Sequence, residues 1–362
     1  MSIDPRTVLI MAGGTGGHVF PALAVAEELL QRGFAVHWLG TSAGIEADLV
    51  PPRGIPLNTI AVSGVRGKGF ATKLMAPLRI LRAVWQARAV LQRVRPAVVI
   101  GFGGFASGPG GLAAWLQGIP LLVHEQNAVA GTTNRVLARF AKGVAEAFPG
   151  TLAGARHVGN PVRTEISAMP SPVQRGVGSH NPLRLLVLGG SLGATAINQL
   201  VPAALAQLAP ELRPEVRHQC GRKHEEATVE AYRPVAVEAS VEPFIADMAA
   251  AYGWADLVVC RAGALTVSEL AAAGVGALLV PFPAAIDDHQ TRNGQWLESN
   301  GAAVLIQQRD LDAGVLAHQL RELVAVPSRL LAMAEAARHL AMPGAAQAVA
   351  DMCQELGQED RV

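Results

Sequence analysis

The residues best equipped for chemistry stand in short clusters, each directly after an apolar run. Gly13-Gly14-Thr15-Gly16-Gly17-His18 puts four glycines and an imidazole behind Thr7–Ala12. Lacking a Cβ, glycine lets backbone N–H groups approach a ligand closely, and a helix beginning there stabilises an anion. The plain alternative is a tight turn. A second cluster, residues 101–111, could wrap another phosphate or serve as a flexible connection. The third, Gly189-Gly190-Ser191-Leu192-Gly193, fits the GxSxG elbow of hydrolases, with Asp256 and His289 as nominal partners. The first half carries the same loop with Thr15 at the serine's position, which favours a shared phosphate-binding turn. Two familiar nucleotide motifs fail. The GxGxxG dinucleotide fingerprint needs a third glycine where Val19 stands, and Gly67-Lys68 is followed by Gly69 rather than Ser or Thr.

Polar groups accompany these turns. His18, at a helix start, could act as a general base near neutral pH or merely bond locally. His124-Glu125-Gln126-Asn127 presents four polar side chains after a buried strand, a pattern that usually marks a site. Arg163 could clamp a diphosphate or be a solvated surface arginine. In the stretch 261–269, small residues and hydroxyls open a helix with Glu269 in its first turns. A carboxylate there can accept both hydroxyls of a ribose, or simply complement the helix dipole. Asp287-Asp288-His289-Gln290 reads as a helix cap with polar neighbours, and Asp310-Leu311-Asp312 as a cap rather than a metal-binding DxD.

These clusters need a scaffold of alternating strands and helices. Thr7–Ala12, Ala35–Gly40, 97–101 and 121–124 read as buried strands in the first half. In the second, 183–188, 216–219, Leu257–Cys260 and 277–280 do so. A helix over 21–32 has Pro21 near its first turn and Gly33 where a C′ glycine belongs. The alternation predicts βαβ units and parallel sheets. With 362 residues the chain suits two domains, divided near Asn160-Pro161. The cleft between them is the expected active site.

Half the residues are hydrophobic and 16% are charged, so the chain is globular rather than disordered. The three cysteines are far apart and unpaired in sequence, which argues against a disulfide framework or a zinc site and for a reducing compartment. The N-terminus lacks a signal-peptide pattern, and the uncharged run 270–286 is too broken by glycine and proline to span a membrane. Between Leu49 and His124 there is no Asp or Glu but nine basic residues: Arg53, Arg66, Lys68, Lys73, Arg79, Arg82, Arg88, Arg93 and Arg95. Phe70, Leu74, Leu78, Leu81 and Trp85 recur there at helical spacing. Such a stretch suits an anionic membrane surface, or else a helix packed by its apolar stripe. No aromatic-interleaved motif favours nucleic acid.

The motifs at 13–24, 103–109, 124–127, 159–163, 189–193, 261–269 and 288–290 together resemble the MurG family, in that family's order, over residues 7–340. The resemblance implies the GT-B fold: two Rossmann-like, doubly wound parallel-sheet domains facing a cleft. It divides the chain into an acceptor- and membrane-facing domain (1–160), a UDP-sugar domain (161–340) and a C-terminal helix (341–362) returning to the first. It further implies an inverting, metal-independent and cofactor-free transfer of N-acetylglucosamine. The donor is UDP-N-acetylglucosamine, and the acceptor is undecaprenyl-diphosphate-linked N-acetylmuramoyl pentapeptide, lipid I, giving lipid II for peptidoglycan. Such work belongs to cell-wall growth, cell shape and division, at the cytoplasmic face of the bacterial inner membrane, alongside other cell-wall synthesis proteins.

Residue by residue, the resemblance gives Ser191 and Arg163 the donor diphosphate and places Thr15, Gly16, Gly17 and Asn127 near the sugar and phosphates. Ile245 with Ala264, Leu265, Thr266, Val267, Ser268 and Glu269 flanks the uridine, Glu269 meeting its ribose, and Gln290 meets the sugar hydroxyls. Gly14, Gly103, Gly104 and Ser107 take the acceptor diphosphate. His18 is the candidate base for the acceptor's hydroxyl, with Glu125 as second choice. Phe105 fills a loop position where an aromatic or tyrosine is expected. A serine hydrolase and a non-catalytic nucleotide-sugar binder stand as alternatives.

Overall fold

The computed structural model describes residues 6–62, 76–190 and 193–359. The chain divides into two compact units, Met1–Arg163 with Met342–Val362, and Thr164–Ala341. The division thus falls three residues after Asn160, so Arg163 belongs to the first unit.

The first unit is built on a seven-stranded parallel sheet in the order β3 (Leu57–Thr59), β2 (Ala35–Gly40), β1 (Thr7–Ala12), β4 (Val98–Gly103), β5 (Leu121–Glu125), β6 (Gly143–Glu146) and β7 (Arg156–His157). The second has six parallel strands, in the order β10 (Ala239–Glu242), β9 (Glu215–Gln219), β8 (Arg184–Leu188), β11 (Leu257–Cys260), β12 (Gly276–Leu279) and β13 (Ala303–Leu305). Both are doubly wound. The order reverses between β1 and β4 and between β8 and β11, and ligands of such sheets bind beyond the strand ends at that reversal. The glycine clusters follow β1, β4 and β8, so both reversals are furnished with close-approach backbone.

Helices cover both faces, and the central strands are accordingly mostly apolar; every residue of β1, β4, β5 and β11 is buried, His124 and Glu125 at the end of β5 among them. On one face of the first sheet Val8, Ile10, Trp38 and Ile100 pack with Val19, Ala22 and Ala26 of α1 (Gly16–Gln31). The helix Ala345–Glu359 joins that cluster through Val349, Ala350 and Cys353, and Arg32 reaches Asp351 at 2.6 Å. On the other face Leu9, Met11 and Val99 pack against Ala83, Ala87 and Leu91.

β1, β2 and β11 have the bounds read from sequence. The helix after β1 does not: it starts at Gly16, not Pro21. Thr15 is extended and its carbonyl accepts from the N–H groups of His18 and Val19, so the helix begins inside the glycine loop. Pro21 therefore lies beyond the first turn, where its missing N–H costs the bond to the Gly17 carbonyl. Gly33, at φ +80°, ends the helix as a C′ glycine should.

The helix Ala76–Val94 turns Ala83, Val84, Ala87, Val90 and Leu91 inward. Its outer face exposes Leu78 (60%), Leu81 (56%) and Trp85 (68%) among the exposed Arg79, Arg82 and Arg88. Core packing is thus excluded for the described part of the apolar stripe; Phe70, Leu74, Arg66, Lys68 and Lys73 lie outside the described residues. Among the described residues no helix is long and apolar enough to cross a membrane.

Candidate active site

In the first unit the loops after β1 and β4 meet. A Cβ at Gly104 would overlap the Gly13 carbonyl, and one at Gly103 would press on the His18 ring. Gly103 and Gly104 have φ of +98° and +85°, so side chains are excluded there by backbone conformation as well as by space. The hydroxyl of Ser107 is fully buried and bonds to the carbonyls of Met11 (2.9 Å) and Gly103 (2.6 Å). It braces the two loops against each other.

Sequence reasoning missed Glu46, in the short helix α2 (Glu46–Leu49). Its carboxylate is fully buried beneath the first loop and accepts from Gly14 N–H at 3.1 Å and from the N–H and hydroxyl of Thr41, both at 2.8 Å. Cβ atoms at Gly13, Gly40 or Gly44 would collide with this side chain. The signal was present as glycines at 40 and 44 beside an acidic residue, which reads as an ordinary turn until the fold folds it under β1. The Gly14 N–H is therefore already engaged. The helix-start N–H groups beyond it are the ones that intrahelical bonding leaves open to an anion.

At the end of β5 and just beyond it, four polar residues do different things. Glu125 is buried, and its two oxygens accept from Asn127 N–H (2.9 Å) and amide (3.2 Å), Gly131 N–H (3.1 Å) and the Asn134 amide (2.9 Å). That carboxylate holds the 126–131 loop in shape. Gln126 bridges His18 and His124, at 2.9 Å and 3.0 Å. Burial drives the pKa of His124 down to about 4, its bond to the Gly159 carbonyl opposing only part of that shift. His18 and Asn127 are half-buried, and Arg163 lies with its guanidinium 5.7 Å from the Phe20 ring of α1. The structure thus brings the 13–18 loop, Gly103, Gly104, Ser107, Glu125 and Gln126 to one place at the β1/β4 reversal.

In the second unit Gln219 braces the loop after β8, its Oε1 accepting from Gly190 N–H and its amide donating to the Gly190 carbonyl, both at 2.9 Å. Ser191 and Leu192 lie outside the described residues. Beyond β11, the helix Ala264–Ala273 carries Glu269, buried and bonded to the Tyr252 hydroxyl at 3.1 Å. Ala264 and Val267 are buried, so any part they play is through backbone; Leu265, Thr266 and Ser268 are half-buried, and the Ser268 hydroxyl donates to the Ala264 carbonyl. Arg261 spans to the carbonyls of Val280 and Pro281 and to Gln308, lying 5.5 Å from the Phe282 ring; burial lowers its pKa. Gln290 accepts from Phe282 N–H at 2.9 Å, which ties the helix His289–Glu298 to the turn after β12. Ile245 is buried in the segment after β10.

Geometry rules against the hydrolase pairing and agrees with the cap reading at Asp312. Asp256 precedes β11, at the N-terminal end of the strand, where it accepts from the N–H groups of Gly178 and Arg184 and pairs with His180. The loop after β8 lies at the opposite end of the same parallel sheet, so Asp256 cannot complete a serine triad there. Asp312 caps the helix Ala313–Val324, accepting from Val315 N–H at 2.8 Å.

Residues 8–146 match the Glycosyltransferase family 28 N-terminal domain, and residues 184–354 its C-terminal domain. The UDP-N-acetylglucosamine--N-acetylmuramyl-(pentapeptide) pyrophosphoryl-undecaprenol N-acetylglucosamine transferase of Pseudomonas fluorescens is 59% identical over 352 residues, covering 96% of this chain and 98% of that protein. The Marinobacter nauticus protein of the same name is 57% identical over 353 residues, 97% of each. The crystal structure of Acinetobacter baumannii MurG superposes with a TM-score of 0.85 at 46% identity, over 97% of this chain and all of that one. The glycosyltransferase VinC shares the fold alone, at a TM-score of 0.68 and 15% identity. With these likenesses spanning both sheets and nearly every residue, the chain belongs to glycosyltransferase family 28 and, within it, to the MurG family.

Proposed function

We infer that this chain is the transferase that moves N-acetylglucosamine from UDP-N-acetylglucosamine to the 4-hydroxyl of undecaprenyl-diphosphate-linked N-acetylmuramoyl pentapeptide. The observation that carries this reading is identity above one half, sustained from end to end, with transferases of that name. The alternatives of a hydrolase and a passive binder lack such support.

In this reading the first unit receives the acceptor and the second the donor. His18 takes the proton as the acceptor oxygen attacks the anomeric carbon from the face opposite the leaving UDP, and the C1–O bond to phosphate breaks with inversion. Helix-start N–H groups, the Gly103–Gly104 backbone and Arg163 carry diphosphate charge, with Ser191 joining on the donor side. Such preorganised donors stabilise developing charge without reorganising at the moment of reaction. Glu269 takes the ribose hydroxyls, Gln290 the sugar, Asn127 the sugar or phosphates, and Ile245 with the 264–268 backbone the base. His18 is preferred over Glu125 because the latter's two oxygens already serve four donors.

The acceptor's lipid tail stays in a bilayer, so the chain works as a peripheral protein at the cytoplasmic face of the inner membrane. The outer face of the helix Ala76–Val94 is the surface suited to that task. Leu78, Leu81 and Trp85 would enter the interface while Arg79, Arg82 and Arg88 meet anionic headgroups. Association with other cell-wall synthesis proteins belongs to the same reading.

The test is direct turnover. Purified chain with labelled UDP-N-acetylglucosamine and a short-tailed lipid I analogue should yield labelled disaccharide product and UDP in equal amounts. Labelling by a fluorophosphonate probe, or UDP-sugar hydrolysis without transfer, would contradict the assignment.

A further inference from the structure

We propose that Gln126 and His124 are positioning residues that fix the tautomer of His18, presenting its Nε2 as the proton acceptor. The proposal rests on the reading of His18 as the base and adds how the fold prepares it.

The chain of hydrogen bonds begins at a group whose role is fixed by chemistry. The Gly159 carbonyl can only accept, so the His124 Nε2 that lies 3.0 Å from it carries a hydrogen. His124 is fully buried and, with its pKa at about 4, neutral at working pH; its Nδ1 therefore holds a lone pair. The Gln126 side-chain nitrogen sits 3.0 Å from that Nδ1 and 2.9 Å from the His124 carbonyl, a second group that can only accept. Both amide hydrogens are thereby used, and a rotated amide would set its oxygen against two acceptors. The amide oxygen must then face His18, 2.9 Å from Nδ1, and accept a hydrogen from it. A neutral imidazole protonated at Nδ1 has its basic lone pair at Nε2.

Three further features hold the bonded chain rigid. Gln126 is 1% exposed, so a rearranged amide would leave polar atoms buried without partners. Gly103 lies against the His18 ring so closely that any side chain there would displace it. Gln126 is preceded by Glu125, whose bonds to Asn127, Gly131 and Asn134 anchor the backbone from which the amide projects.

The proposal is tested by ¹⁵N spectroscopy of histidine-labelled wild-type protein, assigned with His18→Ala, together with kinetics of Gln126→Leu and Gln126→Glu. In the wild type the His18 ring should show a protonated Nδ1 and an unprotonated Nε2. Gln126→Leu should lower kcat by roughly 10- to 100-fold, the worth of a hydrogen bond in the catalytic step, with donor KM unchanged. Gln126→Glu restores an acceptor for Nδ1; it should recover part of kcat and move the acidic limb of the pH profile to higher pH, because a carboxylate favours the imidazolium. A wild-type His18 protonated at Nε2 overturns the proposal and leaves the base reading standing. Equal losses in both Gln126 variants with no movement of the acidic limb also overturn it. If His18→Ala keeps its activity, the base reading fails and the proposal with it.

Discussion

At β1/β4 and β8/β11 the same strand order produces the same kind of opening, but the two are furnished differently. Around β1/β4, buried side chains from several strands and loops, Glu46, Ser107, Glu125, Gln126 and His124, converge beneath two glycine turns and end in the half-buried imidazole of His18. Around β8/β11 the groups fixed in place are an amide (Gln219), a guanidinium (Arg261) and a carboxylate (Glu269). In the proposed reading these groups position the donor and take no proton. The topology supplies anion-ready backbone twice; in the proposed reading, what braces each turn separates an opening that binds from one that also moves a proton.

The largest effect that can break this contrast is expected at His18. His18→Ala should lose roughly 10²–10⁴-fold in kcat, the usual worth of a general base, while UDP still binds with wild-type affinity in a titration. Near-wild-type turnover would return the β1/β4 opening to a binding role. Next in size is a change that leaves both openings alone. Reversing Arg79 and Arg82 to Glu removes two cations worth about 1 kcal/mol each at an anionic surface and adds two repelling charges, so vesicle partitioning should fall by about 100-fold or more. Co-sedimentation reads this out, and turnover of a short-tailed soluble acceptor should persist.

A smaller and opposite signature is expected in the second unit. Glu269→Ala removes a contact made alike in ground and transition states, raising donor KM by about 10–100-fold with kcat largely kept. A loss confined to kcat would place Glu269 in the chemical step. A measurement of stability should show no contrast between the units. Burial lowers the pKa of His124, in the first unit, to about 4 and that of His218, in the second, to about 3. The unfolded chain therefore binds more protons than the native one below about pH 6.5. Stability is lost as pH falls from there toward each folded value, by on the order of 1.4 kcal/mol per pH unit per histidine. Urea unfolding across that range should show the decline, and His218→Phe should leave only the share of it that belongs to His124.

Much of this was legible before any coordinates. β-branched and leucine-rich runs ending in glycine clusters announced the parallel sheets, because a strand buried on both faces is filled mainly by apolar residues. The short strands β3, β6, β7, β10 and β13 were not read, since two to four residues carry too little periodicity to stand out from loop. In the first site the glycines and His18 could be named from type and order alone. Glu46 could not, because its task depends on β2 lying beside β1, with Thr7 opposite Ala35. The separate duties of Glu125 and Gln126 were equally hidden. Adjacent residues at a strand end point in different directions, and only coordinates tell which bonds each one makes.

The central claim is that one unit moves the proton and the other holds the donor. It is tested most directly by measuring kcat and donor KM side by side for His18→Ala and Glu269→Ala, with UDP-N-acetylglucosamine and a saturating lipid I analogue. The account predicts orthogonal losses: kcat falls in the first variant with donor KM kept, and donor KM rises in the second with kcat kept. Loss of the same parameter in both variants would contradict it.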